Sequence, residues 1–166
     1  MAETDHAPIA GWTPPSPMER KRILDESESI AIVGASKNPA RASNFVATYL
    51  LSGSTDFRIY LVNPRETEIL GEPVYASLSD LPEVPDIVDV FRKSDDLPEV
   101  ANDAIAVGAK VFWAQLGLWS EEAALKASGA GLEVVMDRCT KIEHARFAGG
   151  LHLAGFNTGV INSRRA

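Results

Sequence analysis

The sequence contains a single cysteine, Cys139, among its 166 residues. One thiol cannot form an internal disulfide, so the disulfide-stapled secreted class is excluded and a reducing compartment is the simpler assumption. No apolar run reaches the ~18 residues that a membrane-spanning helix needs. The N-terminus also lacks the apolar segment of a secretory signal. Together these absences predict a cytoplasmic protein with no membrane partner.

Positive charge is scarce as well: 16 Lys and Arg against 23 Asp and Glu give a net charge of −7. Broad nucleic-acid binding needs a basic face that neutralises phosphates, so we expect no nucleic-acid partner. The three histidines do not combine with Cys139 in a usual ligand spacing, so we predict no metal site. With 45% hydrophobic and 23% charged residues, the composition is that of one globular domain with its own core.

Glycine is sparse where a dinucleotide-binding loop would need it. The segment "AIVGASKNPARASN", residues 31–44, contains only Gly34, whereas a dinucleotide fingerprint has three glycines. An apolar run ends at Gly34 and a small, weakly basic loop leads into helical sequence, a place where phosphates are often held. Ser43 has an alternative role as the helix N-cap. The candidate phosphate-binding residues are Gly34, Ala35, Ser36, Lys37, Asn38, Pro39, Arg41 and Ser43.

Apolar runs alternate with helix-like segments along most of the chain. Runs rich in Val and Ile, with little alternation, indicate strands covered on both faces. They occur at 29–33, 58–62, 87–91, 110–114 and 133–136, and helical spacing occurs near 43–51, 95–107 and 120–127. This order predicts an α/β fold with a doubly wound, mostly parallel five-stranded sheet and helices on both faces. Ligands of such sheets bind at the carboxyl ends of the strands.

The two ends of the chain differ from this pattern. Residues 1–17 are rich in proline and read as a flexible N-terminal arm, laid across the domain by Ile9 and Trp12. Ser16 and Pro17 are typical of a helix start, so the domain is predicted at 18–147. The tail at 148–166 is glycine-rich with scattered apolar residues. A tail of this kind folds back on the domain or packs on a neighbour, which makes a homodimer a candidate assembly.

The loop after the second strand distinguishes among nucleotides. A NAD-binding domain usually has an acid here for the ribose 2′-hydroxyl, but the strand ends at Val62 and is followed by Asn63, Pro64 and Arg65. An arginine at this place suits a nucleotide with an extra ribose phosphate, which means NADP or coenzyme A. Ordinary turn chemistry at Asn63-Pro64 is the alternative.

Three further loops complete the predicted edge. Phe91 and Arg92 follow the third strand, where Phe91 either stacks on a ligand or belongs to the core. Gln115 follows the fourth strand and is polar in an apolar setting, where a buried amide needs partners. Arg138 and Cys139 follow the fifth. A cysteine beside an arginine is a candidate reactive thiol with a lowered pKa, although a nucleophilic enzyme also needs a positioned base.

Seven stretches in order resemble the small single-domain CoA-binding proteins, whose Rossmann-like domain is similar to that of the succinyl-CoA synthetase alpha subunit. They are "IVGAS", "NPAR", "VNP", "ILGEPVYASLSDLP", "DIVDVFR", "GAKVFWAQLG" and "VVMDRCTKIEH". The resemblance implies CoA phosphates at the Gly34 loop and adenosine near Val62, Asn63, Pro64 and Arg65. It implies pantetheine along Phe91, Arg92 and Gln115, with Arg138 and Cys139 closing the pocket. The synthetase's second domain has no counterpart here, so its ligase chemistry is not implied.

Three functions are therefore weighed. The first is a non-catalytic protein that binds CoA or an acyl-CoA at the carboxyl edge of the sheet, with CoA as the expected cofactor. The second is an NADP-binding oxidoreductase or redox sensor, which the missing glycines disfavour. The third is a thiol protein whose Cys139 exchanges with the CoA thiol.

Overall fold

The computed structural model describes residues 5–148. Its strands are β1 (Ser29–Val33), β2 (Arg58–Val62), β3 (Glu68–Ile69), β4 (Glu72–Tyr75), β5 (Ile87–Val90), β6 (Val111–Ala114) and β7 (Glu133–Val135). Its helices are α1 (Pro17–Glu26), α2 (Ala42–Leu51), α3 (Leu97–Val107), α4 (Glu121–Gly129) and α5 (Thr140–Ala148), with short 3-10 turns at Leu78–Asp80 and Ser94–Asp96. The predicted tail lies outside the described residues beyond Ala148.

The seven strands form one sheet in the order β3-β4-β2-β1-β5-β6-β7. All neighbours are parallel except β3, which pairs antiparallel with β4. The predicted Rossmann-like α/β architecture is confirmed, but the strand number is seven and not five. The strand order reverses at β1, which has β2 on one side and β5 on the other, so a crevice is expected between their ends.

The two additional strands were missed because they carry no apolar run. β3 and β4 contain two and four residues, and only Ile69 among them is buried. They are joined by a hairpin turn in which Leu70 and Gly71 both have positive φ, the geometry that a tight two-residue hairpin requires. β4 pairs with β2 in parallel, so the residues after Tyr75 also reach the carboxyl edge of the sheet.

Helices cover both faces of the sheet, as predicted. One face packs on α1, α2 and α5 through a cluster that includes Ile23, Leu50 and Phe147. The other packs on α3 and α4 through a cluster that includes Leu97 and Ala124. The central strands β1, β5 and β6 are buried along their full length, which explains why their sequences are mostly apolar, with Ser29 and Asp89 as buried polar exceptions.

Helices α1 and α5 are joined by a buried ion pair. The Arg20 Nε donates to Glu143 Oε1 at 2.6 Å, and the two side chains are 4% and 2% exposed. α1 starts as predicted, with a capping box at Ser16 and Pro17 in the first turn. α5 was not predicted, because Glu143, a charged residue, occupies one of its inward positions and conceals the apolar period.

Residues 5–16 lie along the face that carries α3 and α4. Ile9 is 7% exposed and belongs to the core cluster of that face. The His6 ring stacks on Trp119 with centroids 3.6 Å apart, and its Nε2 lies 2.9 Å from Asp137 Oδ2. Trp12 meets Trp119 edge-on. Within residues 5–148, no helix has both the length and the apolar character to cross a bilayer.

Candidate functional site

The loops after β1 and β5 touch at the point where the strand order reverses. Gly34 has φ +90°, and its N–H donates to the Val62 carbonyl of β2 at 3.0 Å. A Cβ on Gly34 would lie 2.4 Å from the Phe91 carbonyl oxygen. A side chain at this position would therefore have to push apart the ends of β1 and β5, which is the physical reason for glycine here.

The helix that follows this loop has an open N-terminus. α2 begins after Arg41, and no side chain caps it within the described part of the chain. By contrast, Ser16 caps α1 and Ser120 caps α4. The first N–H groups of a helix have no partner inside the helix and carry partial positive charge. The N–H groups of Ala42 and Ser43 are therefore available to an anion, whereas that of Asn44 already donates to the Arg41 carbonyl at 3.1 Å. Ser43, the alternative N-cap, lies inside the helix and is buried.

Hydrogen bonds fix the loop in place from two sides. The Asn63 Nδ2 donates to the Ala35 carbonyl at 2.7 Å, while Asn63 Oδ1 accepts from the Arg65 N–H at 2.8 Å. On the other side, the Asn44 Nδ2 donates to the Ser36 carbonyl at 2.9 Å. Asn63 thus connects the end of β2 to the loop after β1, so its role exceeds ordinary turn chemistry.

Two clefts open at this edge and share Gly34, Asn63 and Arg92. The first, which we call the α3 cleft, has a volume of about 610 Å³ and lies toward β2, β4 and α3. Its polar groups come from the loop after β2, the turn after β4 and the α3 helix. Besides the shared residues it is lined by Val33, Val62, Pro64, Arg65, Ala76, Ser77, Leu78, Ser79, Glu99, Val100, Asp103, Ala106 and Val107.

The second, the α2 cleft, has a volume of about 480 Å³ and lies toward α2 and β6. The loop after β1 and the start of α2 form its polar end, and apolar side chains form the rest. Besides the shared residues it is lined by Ala35, Ser36, Arg41, Ala42, Ser43, Phe45, Val46, Phe91, Gln115, Leu116, Leu118 and Cys139.

Most of the predicted site residues line one of these clefts. The exceptions are Lys37, Asn38, Pro39 and Arg138. The Lys37 side chain is 71% exposed and its Nζ lies 3.6 Å from Glu66 Oε1. Asn38 Oδ1 accepts from the Ala40 N–H, within the loop itself. Arg138 lines a third cavity of about 280 Å³ beneath residues 5–15, next to Trp119. The ligand contacts themselves stay predictions.

The wall formed by residues 76–79 was not foreseen. Ser77 and Ser79 offer hydroxyls to the α3 cleft, and Asp103 faces it from α3. The rule that ligands meet the carboxyl ends of parallel strands would have identified the two serines if β4 had been recognised as a strand.

A buried network orients the amide of Gln115. The fully buried Asp89 of β5 accepts a hydrogen bond from Gln115 Nε2 and another from Thr140 Oγ1, the second at 2.9 Å. Gln115 Nε2 also donates to Thr140 Oγ1 at 3.0 Å. Both protons of the amide nitrogen are thereby used, which leaves Oε1 as the atom that Gln115 can offer to the cleft as an acceptor. Burial raises the pKa of Asp89 to about 7.

The expectation of a lowered pKa for Cys139 is wrong. The side chain is half-buried, and burial raises the pKa of its thiol, to which the nearby Asp89 also contributes. The adjacent Arg138 does not offset this. The candidate base, His144, is engaged elsewhere, with its Nδ1 2.8 Å from the Tyr49 hydroxyl. Burial also lowers the pKa of His144.

We therefore expect Cys139 to react slowly with thiol reagents. At pH 7.5 the folded protein should be alkylated by iodoacetamide at least tenfold more slowly than the same protein in urea, because the thiolate is the reactive form. Mass spectrometry over time measures both rates. A folded-state rate equal to or above that of the unfolded chain, or a mixed disulfide formed readily with CoA disulfide, would restore the thiol-exchange hypothesis.

No group of three or more His, Cys, Asp and Glu side chains in the described residues is arranged to hold a metal ion. The polar groups of the α2 cleft are amides, hydroxyls and guanidinium groups, which suit an organic ligand that carries phosphates, whereas the α3 cleft adds the Glu99 and Asp103 carboxylates. These groups can bind a ligand and orient it along the carboxyl edge of the sheet.

Comparison with known proteins agrees with this geometry. The protein is 42% identical over 131 residues to the protein YneT of Bacillus subtilis (strain 168), which covers 79% of this chain and 96% of YneT. A hypothetical protein from Pyrococcus horikoshii OT3 is 41% identical, with a TM-score of 0.76, over 90% of this chain and 100% of that one. A dinucleotide-forming acetyl-coenzyme A synthetase from Ca. Korarchaeum cryptofilum is 26% identical, with a TM-score of 0.62, over 70% of this chain but 27% of the synthetase.

The family model of the CoA binding domain matches residues 28–145. This range contains all seven strands and both clefts, and it covers most of the chain. The resemblance noted in the sequence is thereby confirmed, and the chain belongs to the CoA binding domain family.

Proposed function

We propose that this protein binds coenzyme A, free or as an acyl thioester, across the carboxyl ends of β2, β1, β5 and β6. The observation that carries the proposal is the uncapped N-terminus of α2, which opens into the α2 cleft, and this cleft shares Gly34 with the α3 cleft. A pyrophosphate at this point would accept hydrogen bonds from the first amides of α2. The two clefts then offer room for the two halves of the ligand, one on each side.

The α3 cleft suits the nucleotide half. Arg65 is exposed at its edge and forms no ion pair within residues 5–148, so its guanidinium is available to the 3′-phosphate of CoA. Ser77 donates to Asp80 and is hydrogen-bonded to Ser79, so the oxygens of these serines, like the Glu99 and Asp103 carboxylates, can accept hydrogen bonds from ribose hydroxyls or the adenine amine. The α2 cleft then takes the pantetheine arm, with Gln115 Oε1 as an acceptor for one of its amide N–H groups.

We further propose that binding is not coupled to a reaction within this domain. Cys139, the one cysteine in the sequence, holds its proton because burial raises its pKa. His144 is hydrogen-bonded to Tyr49. A half-buried neutral thiol with no base beside it among residues 5–148 is a packing group and not a nucleophile, and His152 lies outside those residues.

Calorimetric titration with CoA, NADP and NAD tests the proposal directly. We expect saturable binding of CoA and at least tenfold weaker binding of both dinucleotides, because the loop after β1 has one glycine and Asn63, Pro64 and Arg65, rather than an acid, directly follow β2. Tighter binding of NADP than of CoA would favour the oxidoreductase alternative. Absence of CoA binding would overturn the proposal.

The arginines of the two clefts should have separable effects. Arg65→Ala is expected to remove most of the preference for CoA over 3′-dephospho-CoA. Arg41→Ala is expected to weaken the binding of both ligands equally. Each loss should be about 1–2 kcal/mol, the range for a charge-assisted hydrogen bond. Lys37→Ala is the matched control: it removes the same charge from the same loop but outside both clefts, and should cost less than Arg41→Ala. Equal effects of all three variants would mean that only net charge matters.

A further inference from the structure

The α2 cleft ends in an apolar mouth. Phe45 of α2 is 60% exposed and Leu116, just after β6, is 43% exposed, and both line this cleft. A single exposed hydrophobic side chain is ordinary. Two large ones at the entrance to one cleft form a patch of the kind that marks a ligand-binding groove.

The interior behind this mouth is apolar too. Val46, Phe91 and Leu118 line it, together with the thiol of Cys139. The raised pKa of Cys139 keeps that thiol uncharged. Gln115 is the one polar side chain of this half, and its nitrogen is already paired with Asp89 and Thr140. A hydrocarbon chain would lose no hydrogen bond here and would gain burial.

We propose that this half of the α2 cleft receives the apolar acyl chain of an acyl-CoA, so that the preferred ligand is a thioester with an uncharged acyl group. The inference rests on the proposed function, because the position of the pyrophosphate sets the direction of the arm. With the pyrophosphate at α2 and the nucleotide in the α3 cleft, the arm runs toward β6. The thioester then lies near Gln115 and Cys139, and the acyl chain lies between Phe45 and Leu116.

A lysine, Lys141, lies at the mouth of the α2 cleft. An acyl-CoA whose acyl group ends in a carboxylate is therefore the competing ligand to test. The Lys141 Nζ lies 3.6 Å from the centre of the Phe45 ring and 5.6 Å from that of Tyr49. This cation–π contact engages the ammonium with the aromatic pair. An acyl group that ends in a carboxylate would have to draw Lys141 away from Phe45, whereas a hydrocarbon chain can use the ring as it stands.

Titration with CoA and with its acetyl, butyryl, hexanoyl and octanoyl thioesters tests the inference. We expect the affinity to rise by about two- to fourfold per methylene, until the cleft is filled, because roughly half to all of each methylene becomes buried. Butyryl-CoA and succinyl-CoA have acyl chains of equal length, so they isolate the effect of charge. We expect butyryl-CoA to bind more tightly.

The slope of affinity against chain length is the readout for variants, since it does not depend on the affinity for CoA itself. Phe45→Ala and Leu116→Ala are each expected to reduce the slope at least by half. Val84→Ala is the matched control, because Val84 is a 54% exposed hydrophobic side chain that precedes β5, at the opposite edge of the sheet. Its slope should equal that of the wild type.

The outcomes are distinguishable. If CoA binds but longer acyl chains do not bind more tightly, or if succinyl-CoA binds more tightly than butyryl-CoA, this inference fails and the proposed function stands. A slope that survives both cleft variants overturns the placement between Phe45 and Leu116. If neither CoA nor any thioester binds, the proposed function fails and this inference fails with it.

Discussion

Replacing Gly34 with alanine is expected to destabilise the protein by about 3–4 kcal/mol and to weaken CoA binding at least tenfold. An L residue at φ +90° costs about 1–2 kcal/mol. The new methyl group would also lie 2.4 Å from the Phe91 carbonyl oxygen, and relieving such a contact in a packed region typically costs a further 1–3 kcal/mol. The strands that must separate are β1 and β5, so the loop after β1 moves with them.

Gly71→Ala is the matched control for this prediction. Gly71 has φ +77°, but nothing lies within 4 Å of the position that its Cβ would take. The Gly71→Ala variant should therefore lose only the conformational part of the free energy of unfolding, about 1–2 kcal/mol, and keep its affinity for CoA. Urea denaturation and CoA titration of both variants make the comparison. Equal losses of stability in the two variants would show that the close approach to Phe91 has no energetic weight.

The second large effect concerns the pH dependence that Asp89 creates. In the unfolded chain this carboxyl ionises near its ordinary value of 3.8, whereas burial raises its pKa in the folded protein to about 7. Between these values the unfolded state binds fewer protons than the folded state, so this group makes stability fall as pH rises. Above about pH 7 both states are ionised and the decline ends. Asp89→Asn removes the titration.

The difference between the wild type and Asp89→Asn isolates this group from all other carboxyls. As the pH rises from 5 to 8, the free energy of unfolding of the variant should increase, relative to that of the wild type, by on the order of 2 kcal/mol. Urea denaturation at several pH values measures it. A difference that stays constant with pH would mean that Asp89 is ionised throughout. The variant should also weaken CoA binding, because an asparagine amide can donate to Gln115 as well as accept, and the orientation of Gln115 is then no longer fixed.

The parts of the fold that the sequence predicted are those with long uniform patterns. Five strands were predicted from their apolar runs; β1, β5 and β6 are buried along their full length, and β2 and β7 are buried at their carboxyl ends. β3 and β4 have no such run, since they lie at the edge and are mostly exposed. α5 is concealed by Glu143, an inward charge that is paired with the buried Arg20 of α1 and with Arg146 of its own helix. The pairing with Arg20 joins residues 123 positions apart, so a local pattern cannot show it.

Many residues of the candidate site were likewise predictable from the sequence, whereas their chemical properties were not. Loops that follow strands were identified from topology alone, which is why Gly34, Asn63, Arg65 and Gln115 were named. Their chemistry depends on distant partners. Asp89 sits inside a strand, 26 residues from Gln115 and 51 from Thr140, and nothing near it in the sequence signals that it orients an amide. The raised pKa of Cys139 likewise follows from burial, which outweighs the arginine next to it.

The buried pair of Arg20 and Glu143 bears on where this domain can be cut. The family match spans residues 28–145, yet Ile9, Ile23 and Leu24 fill the core from outside that range. A fragment trimmed to the family boundaries would lose α1 altogether, and with it both the Arg20 partner of Glu143 and the side chains of Ile23 and Leu24 that cover the core. We therefore expect the smallest fragment that folds on its own to begin before the residues that the family model matches.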